Sequence, residues 1–277
     1  MAAKVDLIVL TYGQEDYTIR CFDTILEYSS DYRLVWVDNG SSNQSRKNVM
    51  DSFLKHKNRL PIWSNENLGF VQGINLGVEI LLRSQKTEAK YIGVLNNDIE
   101  LTPSWLDKMI KAMETNKSIG AIGPVSSANS SIQGWEGLFS RIEIPFTTSL
   151  HELETNERAF VLDKEFGNRF AEAPMGITCP MVAFFCTIFQ KEIFEKVGLL
   201  DISYGVGYGD DDDFCRRIYD KGYRVAVALG SYVFHNHRTT FSANYQNDVV
   251  RNIRRKNKAY YDKKFARAKT IERKDFD

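Results

Sequence analysis

The 277 residues are 43% hydrophobic and 26% charged, an ordinary composition for a soluble globular protein and a chain long enough for a well-buried core. Lys and Arg together number 36, as do Asp and Glu, so the overall balance singles out no polyanionic or polycationic partner. There is no N-terminal basic-then-apolar segment, no apolar run near the roughly 18 residues of a membrane span, and no CxxC pair among Cys21, Cys179, Cys186 and Cys215, which together predict a cytoplasmic protein with reduced thiols.

The first half alternates regularly. "KVDLIVLTY" is a short β-rich apolar run, and "EDYTIRCFDTILEYSS" places apolar residues at helical spacing. "YRLVWVDNGSS" predicts a second strand ending in turn residues, "QSRKNVMDSFLKHK" a helix, "LPIWSN" a third strand and "GFVQGINLGVEILLRS" another helix. "KYIGVLNND" predicts a fourth strand, and "TPSWLDKMIKAMETN" a helix capped by Thr102 with Pro103 in its first turn. "SIGAIGPVSS" follows as a fifth strand. This alternation predicts an α/β domain with a Rossmann-like, mostly parallel sheet and helices on both faces.

From about 126 to 178 the periodicity fades into loops with short strands, a length of irregular chain that usually serves function. Order returns at "MVAFFCTIFQKEIFEKVGLLD", a strand followed by a short helix. Then comes "GYGDDDDFCRR", with Asp210 to Asp213 in succession, and "VAVALGSYVFHNH", a strand ending in two histidines. Between Arg251 and Lys274 eleven Lys or Arg stand against Asp262 and Glu272. The chain thus divides into 1–125, 126–250 and a basic helical tail, 251–277, within one domain overall.

In open parallel sheets ligands bind at the carboxyl ends of the strands. Those ends carry Thr11 and Tyr12, Asp38 and Asn39, Asn65 to Asn67, and Asn96, Asn97 and Asp98. Each also suits a plain turn, but four on one edge favour a polar ligand with several groups to bind. Asp98 is either a helix-entry turn residue or a carboxylate that shares a hard divalent cation, Mg2+ or Mn2+, with a diphosphate. His235 and His237 are either a surface pair or a source of an imidazole ligand for Mn2+. The aspartate run has two readings as well. A helix starting near Asp212 would welcome the charge at its positive end, or the glycine-rich turn before it would project a carboxylate into a cleft as general base. The tail reads as a solvated helix packed through Tyr260, Tyr261 and Phe265, lying near an anionic membrane surface, or as a contact for nucleic acid.

"LIVLTYGQEDYTIRCFDTIL", "VWVDNGSSN", "NENLGFVQGINLGVE", "GVLNNDIELTPSWL" and "GYGDDDDFCRRIYDKGYRV" resemble, in order, the motifs of GT-A-fold family 2 glycosyltransferases, nearest in appearance to the rhamnosyltransferase-like branch. "HNHRTTF" and a final basic-aromatic helix extend the resemblance, which covers residues 4 to about 125 and about 179 to 265. It implies that 1–125 binds a nucleotide-sugar and that 126–250 binds the acceptor and carries catalysis. Thr11 and Tyr12 would line the nucleobase pocket. Asp38 would bind base or ribose, with Gly40 and Ser41 in its turn, and Asn67 and Gly69 would lie along ribose and phosphates. "NND" stands where the family has DxD, so Asn96 replaces the first acid, Asn97 takes the middle place and Asp98 alone keeps the carboxylate for metal. Asp211 would be the catalytic base with Asp210 beside it, the remaining aspartates capping the helix, and Arg217 would end the motif. His235 would complete the metal shell, with His237 as second choice. The implied enzyme is an inverting, metal-dependent hexosyl- or deoxyhexosyltransferase building a polysaccharide or glycan. Two further readings are a nucleic acid acceptor, supported by the basic tail, and a binding protein without turnover, supported by Asn96.

Overall fold

The structure, a computed structural model, describes residues 3–84, 88–126, 133, 176–236 and 247–266. Its strands are β1 (Val5–Thr11), β2 (Tyr32–Asn39), β3 (Arg59–Ser64), β4 (Tyr91–Asn96), β5 (Ile99–Leu101), β6 (Ile119–Ser126), β7 (Ile177–Thr178), β8 (Cys186–Gln190) and β9 (Arg224–His235). Its α-helices are α1 (Glu15–Tyr28), α2 (Asn43–Leu54), α3 (Gly69–Arg83), α4 (Trp105–Thr115), α5 (Lys191–Val197), α6 (Asp210–Asp220) and α7 (Asn247–Phe265), with a 3-10 turn at Ile202–Tyr204.

Among the described residues the strands form one sheet in the order β3-β2-β1-β4-β8-β6-β9-β5, with β7 paired to β9. The run from β3 to β4 is parallel throughout, and β6 is parallel to β9. β8 runs antiparallel to both β4 and β6. Strands buried on both faces must read as continuous apolar runs, and β1 shows how the two faces are shared. Leu7 and Val9 join Phe22, Leu34, Trp36 and Phe53 under α1 and α2. Ile8 joins Val35, Val37, Val71, Ile74 and Val78 under α3. The period-two alternation of the strand and the 3.6 period of α3 meet in that second core. Asp6 is buried at the start of β1 but is neutralised by Arg33, whose Nε lies 2.7 Å from its carboxylate.

Three local expectations need correction. Thr102 does not cap α4: its hydroxyl donates to the Tyr232 carbonyl of β9, and the helix begins at Trp105 after Ser104 in the left-handed region. The strand in "MVAFFCTIFQ" starts only at Cys186, because Phe184 and Phe185 turn into the core ahead of it. α6 starts at Asp210, two residues before the expected position, so the whole aspartate run forms its first turn. Residues 127–132 and 134–175, His237 and the end of the basic tail lie outside the described residues. No helix among the described residues is long and apolar enough to cross a membrane. All four cysteines are free and buried.

Candidate active site

Because β1 to β4 run parallel, their carboxyl ends share one edge: Thr11 is in register with Asp38, Asp38 with Trp63, and Leu10 with Asn96. The edge is tied together before any ligand arrives. Asp38, 1% exposed, accepts from the Ser41 amide at 3.0 Å and from Arg46 Nε at 2.7 Å. Arg46 also donates to the Ser64 carbonyl at 2.8 Å and lies 5.6 Å over the half-exposed ring of Trp63. The carboxylate expected to read a base or ribose is therefore held by a cation that sequence inspection did not pick out. Thr11 commits its hydroxyl to the core, where it accepts from the Trp36 indole at 2.8 Å. Tyr12 is half-buried in the bend that follows, and the Gly13 amide donates to Ser41 Oγ at 3.0 Å, linking the first two strand ends.

Asn39, quoted in the sequence only as a strand end, organises the next loop. Its amide nitrogen donates to Asn67 Oδ1 at 2.9 Å and to the Gly69 carbonyl at 3.1 Å, while its oxygen accepts the Leu68 amide at 2.9 Å. Asn67 in turn accepts the Gly69 amide at 2.9 Å. Two glycines are required here. At Gly40, φ is +86°, and a Cβ would stand 2.5 Å from the backbone carbon of Glu66. At Gly69, φ is +77°, and a Cβ would stand 3.2 Å from the Gly205 carbonyl oxygen. The start of α3 thus presses against the turn that leads into the aspartates.

The "NND" turn joins β4 to β5. Asn97 is buried and donates to Thr18 Oγ1 at 2.9 Å, anchoring α1. Asn96 Nδ2 lies 3.5 Å from His235 Nε2, and Asp98 Oδ1 lies 3.2 Å from the same nitrogen. The pairing of β5 with β9 sets this meeting, since Ile99 is opposite His235 and the Asn236 amide donates to the Asp98 carbonyl at 2.9 Å. Phe185 stacks on the His235 ring at 4.7 Å and 12°, fixing its plane. A carboxylate oxygen beside an imidazole nitrogen is a donor set that Mn2+ accepts. Among the described residues no group of three or more His, Cys, Asp or Glu stands ready for a metal. The pair therefore fits an ion that would draw its other ligands from substrate oxygens and water, and not a closed structural site.

α6 opens after Gly209, whose φ is +88°, with no side-chain cap. The four aspartates separate by where the first turn points them. Asp210 is 4% exposed and Asp211 keeps part of its surface open, its Oδ1 accepting the Asp212 amide at 3.0 Å. Asp212 is exposed. Asp213 is fully buried and paired with Arg217 at 3.2 Å and Lys264 at 2.6 Å. Asp213 is thus an ion-pair anchor, not the capping residue expected, because one helical turn carries it inward under α7. Arg217 also donates to the carbonyls of Val197 at 3.2 Å and Leu199 at 2.9 Å. Burial, and then the neighbouring carboxylates, push the Asp210 and Asp211 carboxyls above the usual carboxylate range. The positive end of the helix works against that rise, since it favours the charged carboxylates.

Comparison with known proteins agrees with this architecture. The family model described as glycosyl transferase family 2 matches residues 6–198. An uncharacterized glycosyltransferase of Haemophilus influenzae is 28% identical over 120 residues, 43% of this chain and 35% of that protein. The teichoic acid poly(glycerol phosphate) polymerase of Staphylococcus epidermidis is 30% identical over 127 residues, 45% of this chain and 16% of that protein. The match thus spans about a third or less of these relatives' own length. Among solved structures, GalNAc-T7 with UDP, GalNAc and Mn2+ superposes with a TM-score of 0.58 at 13% identity, over 84% of this chain and 44% of that one. A mannosyltransferase from Pyrobaculum calidifontis in complex with GDP-Man and Mn2+ gives 0.58 at 14% identity, over 86% of this chain and 58% of that one. At such identities the likeness is one of fold, the GT-A fold, and with the family model spanning most of the sheet and its strand-end loops, the chain belongs to glycosyl transferase family 2.

Proposed function

We propose that this chain transfers a hexosyl or deoxyhexosyl group from a nucleoside diphosphate donor to an acceptor hydroxyl, with inversion, in the building of a polysaccharide or glycan. The observation that carries the reading is the meeting of Asp98 Oδ1 and His235 Nε2 at 3.2 Å on the edge where β1, β2 and β4 end. Asp98 and His235 would hold the divalent ion, and an imidazole in the set favours Mn2+ over Mg2+. When bound, that ion supplies positive charge to the leaving diphosphate. The first part of the chain, 1–125, is the donor side: Tyr12, Asp38 with Arg46, and the Asn39–Asn67–Gly69 loop bind and orient base, ribose and phosphates. Residues 126–250 bind the acceptor and supply the base. The Asp211 carboxylate takes the acceptor proton as that oxygen bonds to the anomeric carbon. The bond from that carbon to the diphosphate oxygen breaks, and its electron pair leaves with the diphosphate. One displacement from the opposite face inverts the anomeric configuration. Asp210, more deeply buried, holds its neighbour's charge in check through repulsion.

Solved GT-A neighbours bound to UDP or GDP-Man with Mn2+ support the donor class. Arg251, Arg254, Arg255, Lys256, Lys258 and Lys263 are exposed on α7, a face suited to an anionic membrane surface from the cytoplasmic side. The test is thermal shift against a panel of UDP-, dTDP- and GDP-linked sugars with and without Mn2+. A donor present at a hundred times its Kd stabilises by about 2.7 kcal/mol. A panel in which no nucleotide-sugar raises the melting temperature, with Mn2+ present, removes the proposal.

A further inference from the structure

The C-terminal helix carries no motif of the reaction, yet it grips the chain around the aspartates at three levels. Ahead of them, Asp201 accepts from Tyr260 Oη at 2.9 Å and Lys264 Nζ at 2.6 Å. At the last of them, Lys264 reaches Asp213 at 2.6 Å. Between these lies the turn 205–209, an unusual piece of backbone. Gly205, Gly207, Tyr208 and Gly209 have φ of +61°, +122°, +69° and +88°. For Tyr208, which has a side chain, this region is costly and persists only where surroundings impose it.

Asn257 gathers the carbonyls of this turn. This residue is 5% exposed, and its side-chain nitrogen donates to the carbonyls of Tyr204 at 3.2 Å, Gly207 at 2.9 Å and Tyr208 at 2.9 Å. A primary amide has two hydrogens, so three converging carbonyls share one donor group. The Arg254 guanidinium covers the Tyr208 ring at 4.4 Å. On the other side, the Gly205 carbonyl accepts the Val71 amide of α3 at 3.4 Å. The turn is held between α3, on the donor side, and α7.

We propose that α7 is a positioning element of the reaction and that Asn257, through the 204–209 turn, sets where α6 presents Asp211 to the reacting hydroxyl. This rests on the reading of Asp211 as base. α7 lies on the surface and meets the core beneath α3 mainly through Tyr260, so loosening its grip on the turn leaves the sheet intact.

The experiment measures donor hydrolysis, the release of nucleoside diphosphate with water as acceptor, using the nucleotide-sugar that gives the largest thermal shift with Mn2+. Asn257→Ala, which removes the donor, and Asn257→Asp, which keeps the shape but opposes the carbonyls, are expected to lower kcat by about ten- to a hundredfold, the scale of a misplaced catalytic group. The donor KM should change little and the rising limb of the pH profile should move. Asn257→Gln, which keeps an amide, should recover part of the rate. Asp211→Asn is run alongside. If it hydrolyses donor at the wild-type rate, the base assignment falls and this inference with it. If Asp211→Asn is slow while Asn257→Ala and Asn257→Asp keep the wild-type kcat and pH profile, the positioning role is overturned and the base assignment stands. Should the Asn257 variants not fold, Arg254→Leu decides: a lower kcat at unchanged donor KM supports the role, and a wild-type kcat overturns it.

Discussion

Three neighbouring aspartates on one helical turn should give three different outcomes on substitution by asparagine, since each faces a different environment. Asp211→Asn keeps size and removes the proton acceptor. Hydrolysis should fall by roughly a hundredfold or more, the scale of general-base catalysis, while nucleotide binding and the melting temperature hold. Asp212→Asn alters an exposed residue, so both rate and stability should stay within about 0.5 kcal/mol of wild type. Asp213→Asn is the structural case. It removes a fully buried carboxylate from between Arg217 and Lys264. Breaking a buried pair in this way costs about 3–5 kcal/mol. Arg217 keeps the carbonyls of Val197 and Leu199, and Lys264 keeps Asp201, so the lower end applies. At about 2–4 °C per kcal/mol for a domain of this size, the melting temperature should drop by about 6–12 °C. Calorimetry and a nucleotide-release assay on the three variants, across pH, separate the roles. In the wild type the raised carboxyls must lose a proton before Asp211 can act, so the rate should climb as pH rises through their shared titration and vanish below it. An inactive Asp212→Asn beside an active Asp211→Asn would refute the assignment and place the base one residue on. Equal slowing of both would mean that only negative potential matters.

Other expectations are as direct. Asp98→Ala should abolish the Mn2+-dependent part of nucleoside diphosphate binding measured by titration calorimetry while leaving the fold intact; unchanged affinity and unchanged Mn2+ dependence would show that Asp98 holds no ion. Asp38→Asn should weaken free nucleotide and sugar donor alike, since the proposal assigns the strand end it shares with Arg46 and Trp63 to base and ribose; a loss confined to the sugar donor would move Asp38 elsewhere in the site. His56 is buried with Nδ1 2.7 Å from Tyr32 Oη, and burial lowers its pKa from 6.5 to about 4. The unfolded chain therefore takes up the proton first, and stability should be lost as pH falls from 6.5 through 4, by at most about 3.4 kcal/mol. Asp210 and Asp211, with raised pKa values, work in the opposite sense, so the difference between wild type and His56→Gln in urea unfolding isolates the histidine. A difference that stays constant from pH 7 to 4.5 would contradict the assignment.

Periodicity and strand-end chemistry alone made the parallel half of the sheet legible, because strands buried on both faces must be apolar throughout and their polar ends must share an edge. They also pointed to Asp98 and His235 as possible ligands, and the resemblance pointed to Asp210 and Asp211. Their partners were not legible. Arg46 on Asp38, Phe185 under His235, and Asn257 and Lys264 around the aspartate turn come from other elements, between 8 and 51 residues away along the chain. Nor did the sequence tell Asp213 from Asp211, for all four aspartates look alike in a row. What separates them is the 100° step of a helix that starts at Asp210: it carries one carboxylate under α7 to two cations and leaves another beside the turn that meets α3. Local pattern determines which residues can sit at a strand end or open a helix, but the environment that sets a carboxylate's charge and role is built from long-range packing, and that only the tertiary structure decided.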